Sequence, residues 1–133
     1  APEADASRVR LATPKDEAEL VDMAEMVHAE IGIYPLNLDK VRAELNAAVN
    51  QQGSIIGVVG QDDRLEGSIW LLGIQDWYTD QWAFCERWTF VRPEFRHSTN
   101  TKDLLAWAKE CSTRASVPLL LGLLTNNRTE AVA

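Results

Sequence analysis

The sequence predicts an α/β protein, a single domain built on a mixed sheet of about five strands with helices on both faces. Three observations carry this reading. Segments of helical and strand periodicity run in the order strand, helix, helix, three strands, helix, strand. The final strand, helix, strand unit calls for a right-handed parallel crossover beside an antiparallel meander. With 133 residues, the chain has enough surface to bury for one core and too little for two.

Residues 1–7 read as a polar tail, and residues 8–133 as the domain. Arg8 to Thr13 (RVRLAT) alternates as a first strand does. In the following TPKD, Thr13 suits a helix cap, Pro14 the first helical position and Asp16 the positive helix end. Leu20, Met23, Val27 and Ile31 then recur on one helical face, and Gly32 marks the stop. The segment GIYPLN turns the chain, and Asn37 caps a second helix with Val41, Leu45, Ala48 and Val49 inward. SIIGVVG and RLEGSIWLLGI are strands joined by QDDR as a hairpin, and QWAFCERWTFV is a third, separated by DWYTD. Leu104, Ala108, Cys111 and Ala115 mark a helix, and VPLLLGLLT reads as a fully apolar, buried strand.

Composition narrows the function. The 46% hydrophobic and 25% charged content is that of a soluble globular protein. No apolar run is long enough to cross a bilayer, and the opening APEADASR has neither segment of a signal peptide, so a cytoplasmic location is expected. A net charge of -7 counts against general nucleic-acid binding and favours a cationic partner such as an amine. Cys85 and Cys111 lie in apolar patterns without metal-ligand spacing, so buried reduced thiols and no metal site are expected.

The stretch VRPEFRHSTNTKDLL, from Val91 to Leu105, begins as a strand and ends as a helix. The first N–H groups of such a helix are unpaired and the helix dipole adds positive charge there, so the junction attracts an anion such as phosphate. Arg96 can add a charged contact, and Ser98, Thr99 and Thr101 can donate hydroxyl hydrogen bonds. The same residues also fit a plain helix cap beside a solvated arginine.

The spacing Val91, Pro93, Arg96, then a short polar turn and a helix from about Lys102, resembles the VxPxxR coenzyme motif of the GNAT superfamily of N-acetyltransferases. The order of elements from residue 8 to about residue 130 is similar to the GNAT fold as well. This resemblance implies acetyl-CoA as cosubstrate. Phe90 and Val91 would offer backbone groups to the pantetheine arm, Arg96, His97, Ser98, Thr99, Asn100 and Thr101 would surround the pyrophosphate, and Asn126 would lie near the thioester. The glycines usual at the places of Thr99 and Thr101 are absent, and the family's closing strands and helix-borne tyrosine have no counterpart after NNRTEAVA.

Acetyl transfer to an amine needs a base, a polarised thioester carbonyl and a proton for the leaving thiolate. Glu86 stands among Phe84, Trp88 and Phe90, where partial loss of water makes a carboxylate a stronger base, and it resembles the glutamate that many GNAT enzymes carry before the VxP. An ordinary strand carboxylate paired with Arg87 fits equally. Tyr34 and Tyr78 are the tyrosines present, and Tyr34 is the candidate proton donor. His28 reads as a packed histidine, and Trp77, Trp82 and Trp88 as packing or as an aromatic wall for an acceptor.

The expected function is therefore an acetyl-CoA-dependent N-acetyltransferase acting on a primary amine, small or at a peptide end. The alternative is a GNAT-like module that binds without catalysing, completed as a homodimer across an exposed sheet edge.

Overall fold

The computed structural model describes residues 3–122. Five strands form one sheet in spatial order 1-2-3-4-5: β1 (Val9–Leu11), β2 (Ser54–Gln61), β3 (Arg64–Gln75), β4 (Trp82–Val91) and β5 (Leu119–Leu120). The first four pair antiparallel, and β4 pairs parallel with β5. Helices α1 (Glu17–Ile31), α2 (Leu38–Val49) and α3 (Asn100–Ala115) complete the domain. The predicted α/β class, element order and crossover are all present.

The strand alternation of the sequence sorts the core into two halves. On one face Leu20 and Met23 of α1 and Leu45 of α2 pack on Ile56, Val58, Leu65, Trp70 and Phe90. On the other, Leu104, Trp107 and Ala108 of α3 pack on Val59, Ile69, Leu71 and Val91. The sheet is thus covered on both sides, and strand residues that alternate in sequence feed different cores.

Local signals hold at the helix starts. The backbone N–H of Thr13 donates to the Asp16 carboxylate at 2.8 Å, and the Asn37 side chain accepts from the Lys40 N–H at 3.1 Å. Asp16 is buried and receives both terminal nitrogens of Arg10 at 2.8 Å. Burial pushes the Asp16 carboxyl upward, but the Arg10 and Thr13 hydrogen bonds and the Arg10 charge outweigh it and hold it below the ordinary carboxylate range. The hairpin between β2 and β3 turns on Asp62 and Asp63 alone, with Gly60 at φ 116° beside a register shift.

Several boundaries differ from the sequence reading. A 3₁₀ turn, Pro14–Asp16, precedes α1, because the proline and the Asp16 cap tighten the first turn. A second one, Pro93–Phe95, separates β4 from α3, so the strand does not run directly into the helix. The final apolar run is not a fully buried strand: Leu120 is exposed, since β5 meets β4 at only Phe84↔Leu119 and Cys85↔Leu120. Both cysteines are free but only half-buried. The first residues also do more than trail in solvent. The Asp5 N–H donates to Asp103 at 2.6 Å, and Arg8 pairs with the same carboxylate, which docks this segment on α3.

Candidate functional site

The site is built where β4 and β5 part. Their ladder ends at Cys85↔Leu120, and beyond it β4 continues through Glu86–Val91 with no strand on that side among the described residues. Against β3, Leu71 faces Glu86 while Trp70 faces Trp88, so Arg87 is an extra residue in β4. This is a β-bulge, which bends the strand and redirects its side chains.

Glu86 sits at the parting point. Its Oε1 accepts the Gly122 N–H at 2.9 Å, in the segment just past β5. Its Oε2 accepts the Thr89 hydroxyl. The carboxylate therefore takes the place of the next rung of the ladder, and it does not pair with Arg87, whose guanidinium reaches Glu44 of α2 at 3.5 Å.

At the far end of β4 the chain enters the junction. Arg92, which the sequence reading passed over, is buried and donates from Nε to the Leu65 carbonyl at 2.8 Å and from its terminal nitrogens to Asp22 at 2.7 Å and Glu19 at 3.4 Å. It locks α1 to the end of the sheet. No sequence signal separates it from a surface arginine, since its partners are about seventy residues away. Arg96 bends back: its Nε donates to the Val91 carbonyl at 2.8 Å, a terminal nitrogen meets Glu30 at 2.7 Å, and the guanidinium lies 5.3 Å from the Phe90 ring centre.

The turn that follows is compact. The Ser98 hydroxyl donates to the Phe95 carbonyl at 2.6 Å and accepts the Asn100 N–H at 3.1 Å. The Thr99 hydroxyl donates to Asp103 at 2.9 Å, and the Thr99 carbonyl takes the Asp103 N–H at 2.9 Å. The first-turn N–H groups of Thr101 and Lys102 keep no acceptor among the described residues. Both residues, with His97, are exposed. Buried Asp103 is pushed upward by desolvation, but the Asp5 N–H, the Thr99 hydroxyl and Arg8 together hold it below the ordinary range.

The structure thus brings Arg96, His97, Ser98, Thr99 and Thr101 together at the start of α3, with Phe90 and Val91 at the adjoining strand end. It turns the Asn100 side chain inward: the residue is buried and its Nδ2 donates to Glu66 at 2.9 Å, while Oδ1 has no partner among the described residues. Tyr34 lies in the turn between α1 and α2, with 80% of its surface exposed. Its carbonyl accepts a 2.6 Å hydrogen bond from His28 Nε2. Asn126 lies outside the described residues. Trp77 and Trp82 are exposed, whereas Trp88 packs edge-on against Trp70 at 4.9 Å. Among the described residues no cluster of potential metal ligands occurs, and no helix is long and apolar enough to cross a membrane.

No protein-family model matches the sequence, and no curated protein sequence matches it. Solved structures do. A GNAT family acetyltransferase from Staphylococcus aureus superimposes with a TM-score of 0.67 at 18% identity, over 90% of this chain and 87% of that one. The aminoglycoside N-acetyltransferase AAC(6')-Iy, solved in complex with CoA, gives 0.75 at 12% identity, over 93% and 80%. The ribosomal-protein-alanine N-acetyltransferase of Brucella melitensis biovar Abortus gives 0.72 at 14%, over 93% and 85%. At these identities the likeness is one of fold, and the fold is that of the GNAT acyl-CoA N-acyltransferases.

Proposed function

We propose that this GNAT fold carries an N-acetyltransferase that moves an acetyl group from acetyl-CoA to a primary amine. The observation that supports it best is the pairing of two features on one strand. β4 parts from β5 at Glu86, and its far end delivers the N-terminus of a sixteen-residue helix with free N–H groups at Thr101 and Lys102. A ligand with an anionic end and an extended arm fits between such features, because ligands in open α/β sheets bind beyond the carboxyl ends of parted strands.

In this reading the N–H groups of Thr101 and Lys102 and the Ser98 and Thr99 hydroxyls face the pyrophosphate, with His97 beside them. Arg96 leaves Glu30 to join them, and the free edge of β4 before Phe90 and Val91 guides the pantetheine arm. The Val91 carbonyl, held by Arg96 Nε, becomes available in the same movement. The amine nitrogen attacks the thioester carbonyl carbon, the C–S bond breaks, and Glu86 takes the amine proton. Tyr34 is the proposed donor to the departing thiolate. Asn126 is proposed to contact the coenzyme near its thioester.

Acetyl-CoA titrated against the thermal unfolding transition tests the reading. A rise in Tm that saturates with coenzyme, together with amine-dependent release of free CoA, is expected. No rise at millimolar coenzyme would overturn it. Tyr34→Phe is expected to slow CoA release and keep the Tm rise; an unchanged rate removes Tyr34 from the donor role.

A second reading has its own observations. Arg96, Thr99 and Glu86 are all engaged in internal bonds, as they would be in a module that keeps the fold for binding a partner or a second copy. Sedimentation with and without acetyl-CoA separates the two: self-association unaffected by coenzyme, without turnover, favours this module.

A further inference from the structure

A cleft of about 450 Å³ opens between α1, α2 and the bulge of β4. Val27 and Ile31 of α1 and Val41 of α2 form its walls, and Trp70 and Trp88 its floor. The bulge makes this floor. Without the extra residue, strand alternation would send Arg87 and Trp88 to opposite faces. With it, both reach the α1 and α2 side, where the Arg87 guanidinium lies 4.5 Å from the Trp70 ring centre.

The charges in the cleft run against those of the chain. The protein carries -7 overall, yet the charged side chains lining the cleft are Lys40, Arg87 and Glu44, with two cations for one anion. A guanidinium over the Trp70 ring keeps its N–H groups for a carboxylate. A carboxylate already tests the position: Glu44 meets Arg87 at 3.5 Å, and both side chains are partly exposed. The Trp70 ring is buried beneath this arginine. An apolar enclosure with an exchangeable arginine and a lysine selects a ligand with an apolar body and an anionic, oxygen-bearing end.

We infer that the cleft takes an apolar α-amino acid, its side chain against Val27, Ile31 and Trp88 and its carboxylate on Arg87 in place of Glu44. The inference rests on the acetyl-transfer reading for the fate of the amine, and it makes the acceptor a free apolar amino acid. Polycations are excluded by the same charges, in contrast to the cationic partner that the net charge alone suggests.

Calorimetric titration without coenzyme tests the cleft by itself. L-phenylalanine is expected to bind about tenfold or more tightly than phenethylamine, which lacks only the carboxylate, and spermidine is expected to bind more weakly than either. Arg87→Gln is expected to bring phenylalanine and phenethylamine to the same affinity. Should that variant fail to fold, the comparison of the two ligands on the unaltered protein still decides. Equal affinity for phenylalanine and phenethylamine, tighter binding of spermidine, or no binding of phenylalanine or leucine at about 10 mM overturns the inference. Coenzyme plays no part in this titration, so a failed acetyl-CoA response leaves it standing. Phenylalanine that binds but is not acetylated overturns its assignment as acceptor, whereas the acetyl-CoA response decides the acetyl-transfer reading separately.

Discussion

Arg96 and Glu30 form a 2.7 Å ion pair that ties the start of α3 to the last turn of α1. The pair holds the Arg96 guanidinium against α1. On the proposed reading, coenzyme binding and the α1 contact compete for this guanidinium.

That competition yields a paired prediction. Arg96→Ala is expected to abolish most of the acetyl-CoA-dependent rise in Tm, whereas Glu30→Gln, which frees Arg96, is expected to enlarge it. Differential scanning fluorimetry over a coenzyme series reads both. If Glu30→Gln diminishes the response as Arg96→Ala does, the pair supports the fold and Arg96 has no part in holding the pyrophosphate.

Glu86→Gln separates the structural use of this side chain from its chemical one. The amide oxygen can still accept the Gly122 N–H and its remaining atom can still meet the Thr89 hydroxyl, so the fold and the coenzyme-dependent Tm rise should be retained. Loss of the proposed base should lower the turnover rate by roughly 10²-fold or more. A rate within about twofold of the original would assign Glu86 to bridging β4 and the β5 segment only.

Much of this arrangement was legible in the sequence, and its limits have physical causes. Thr13, Asp16 and Asn37 act within three residues of themselves, so their caps follow from local chemistry. The two-faced core follows from alternation, since Val58 and Val59 go to opposite sides of the sheet. The bulge at Arg87 is invisible to this reasoning, because an extra residue in CERW leaves the apolar pattern of β4 readable in either register. The destinations of Arg92, Arg96 and Asn100 were also beyond reach. Each depends on a partner in a different element, Asp22, Glu30 and Glu66 respectively, and no local rule supplies such pairings.

Asp103 predicts an acid-sensitive link between the N-terminal residues and α3. Its folded carboxyl is held below the ordinary range, so its stabilising contribution is complete above the unfolded value. The contribution is lost as pH falls through the depressed folded value. Asp103→Asn should therefore lower stability at neutral pH by about 1–3 kcal/mol, toward the lower end because water screens the partly exposed Arg8. The Tm difference between the two proteins should be constant above about pH 5 and close below it. A difference independent of pH down to about pH 3 would show that the carboxylate charge does not hold this contact.

Gly57 gives the last prediction, on the face that positions α3. It lies in β2, where a Cβ would stand 2.6 Å from two ring carbons of Trp107. Trp107 is buried and packs α3 on the sheet, and the absence of a side chain at Gly57 lets the indole rest on the strand backbone. Gly57→Ala must push Trp107 and α3 outward, with an expected cost of about 1–3 kcal/mol. Because α3 begins at the junction, the displacement should also weaken the coenzyme-dependent Tm rise, although Gly57 lies in β2 and not in the turn. Thermal unfolding with and without acetyl-CoA measures both effects. An unchanged Tm would mean that the indole has room to yield and that the packing of α3 on β2 does not set the geometry of its N-terminus.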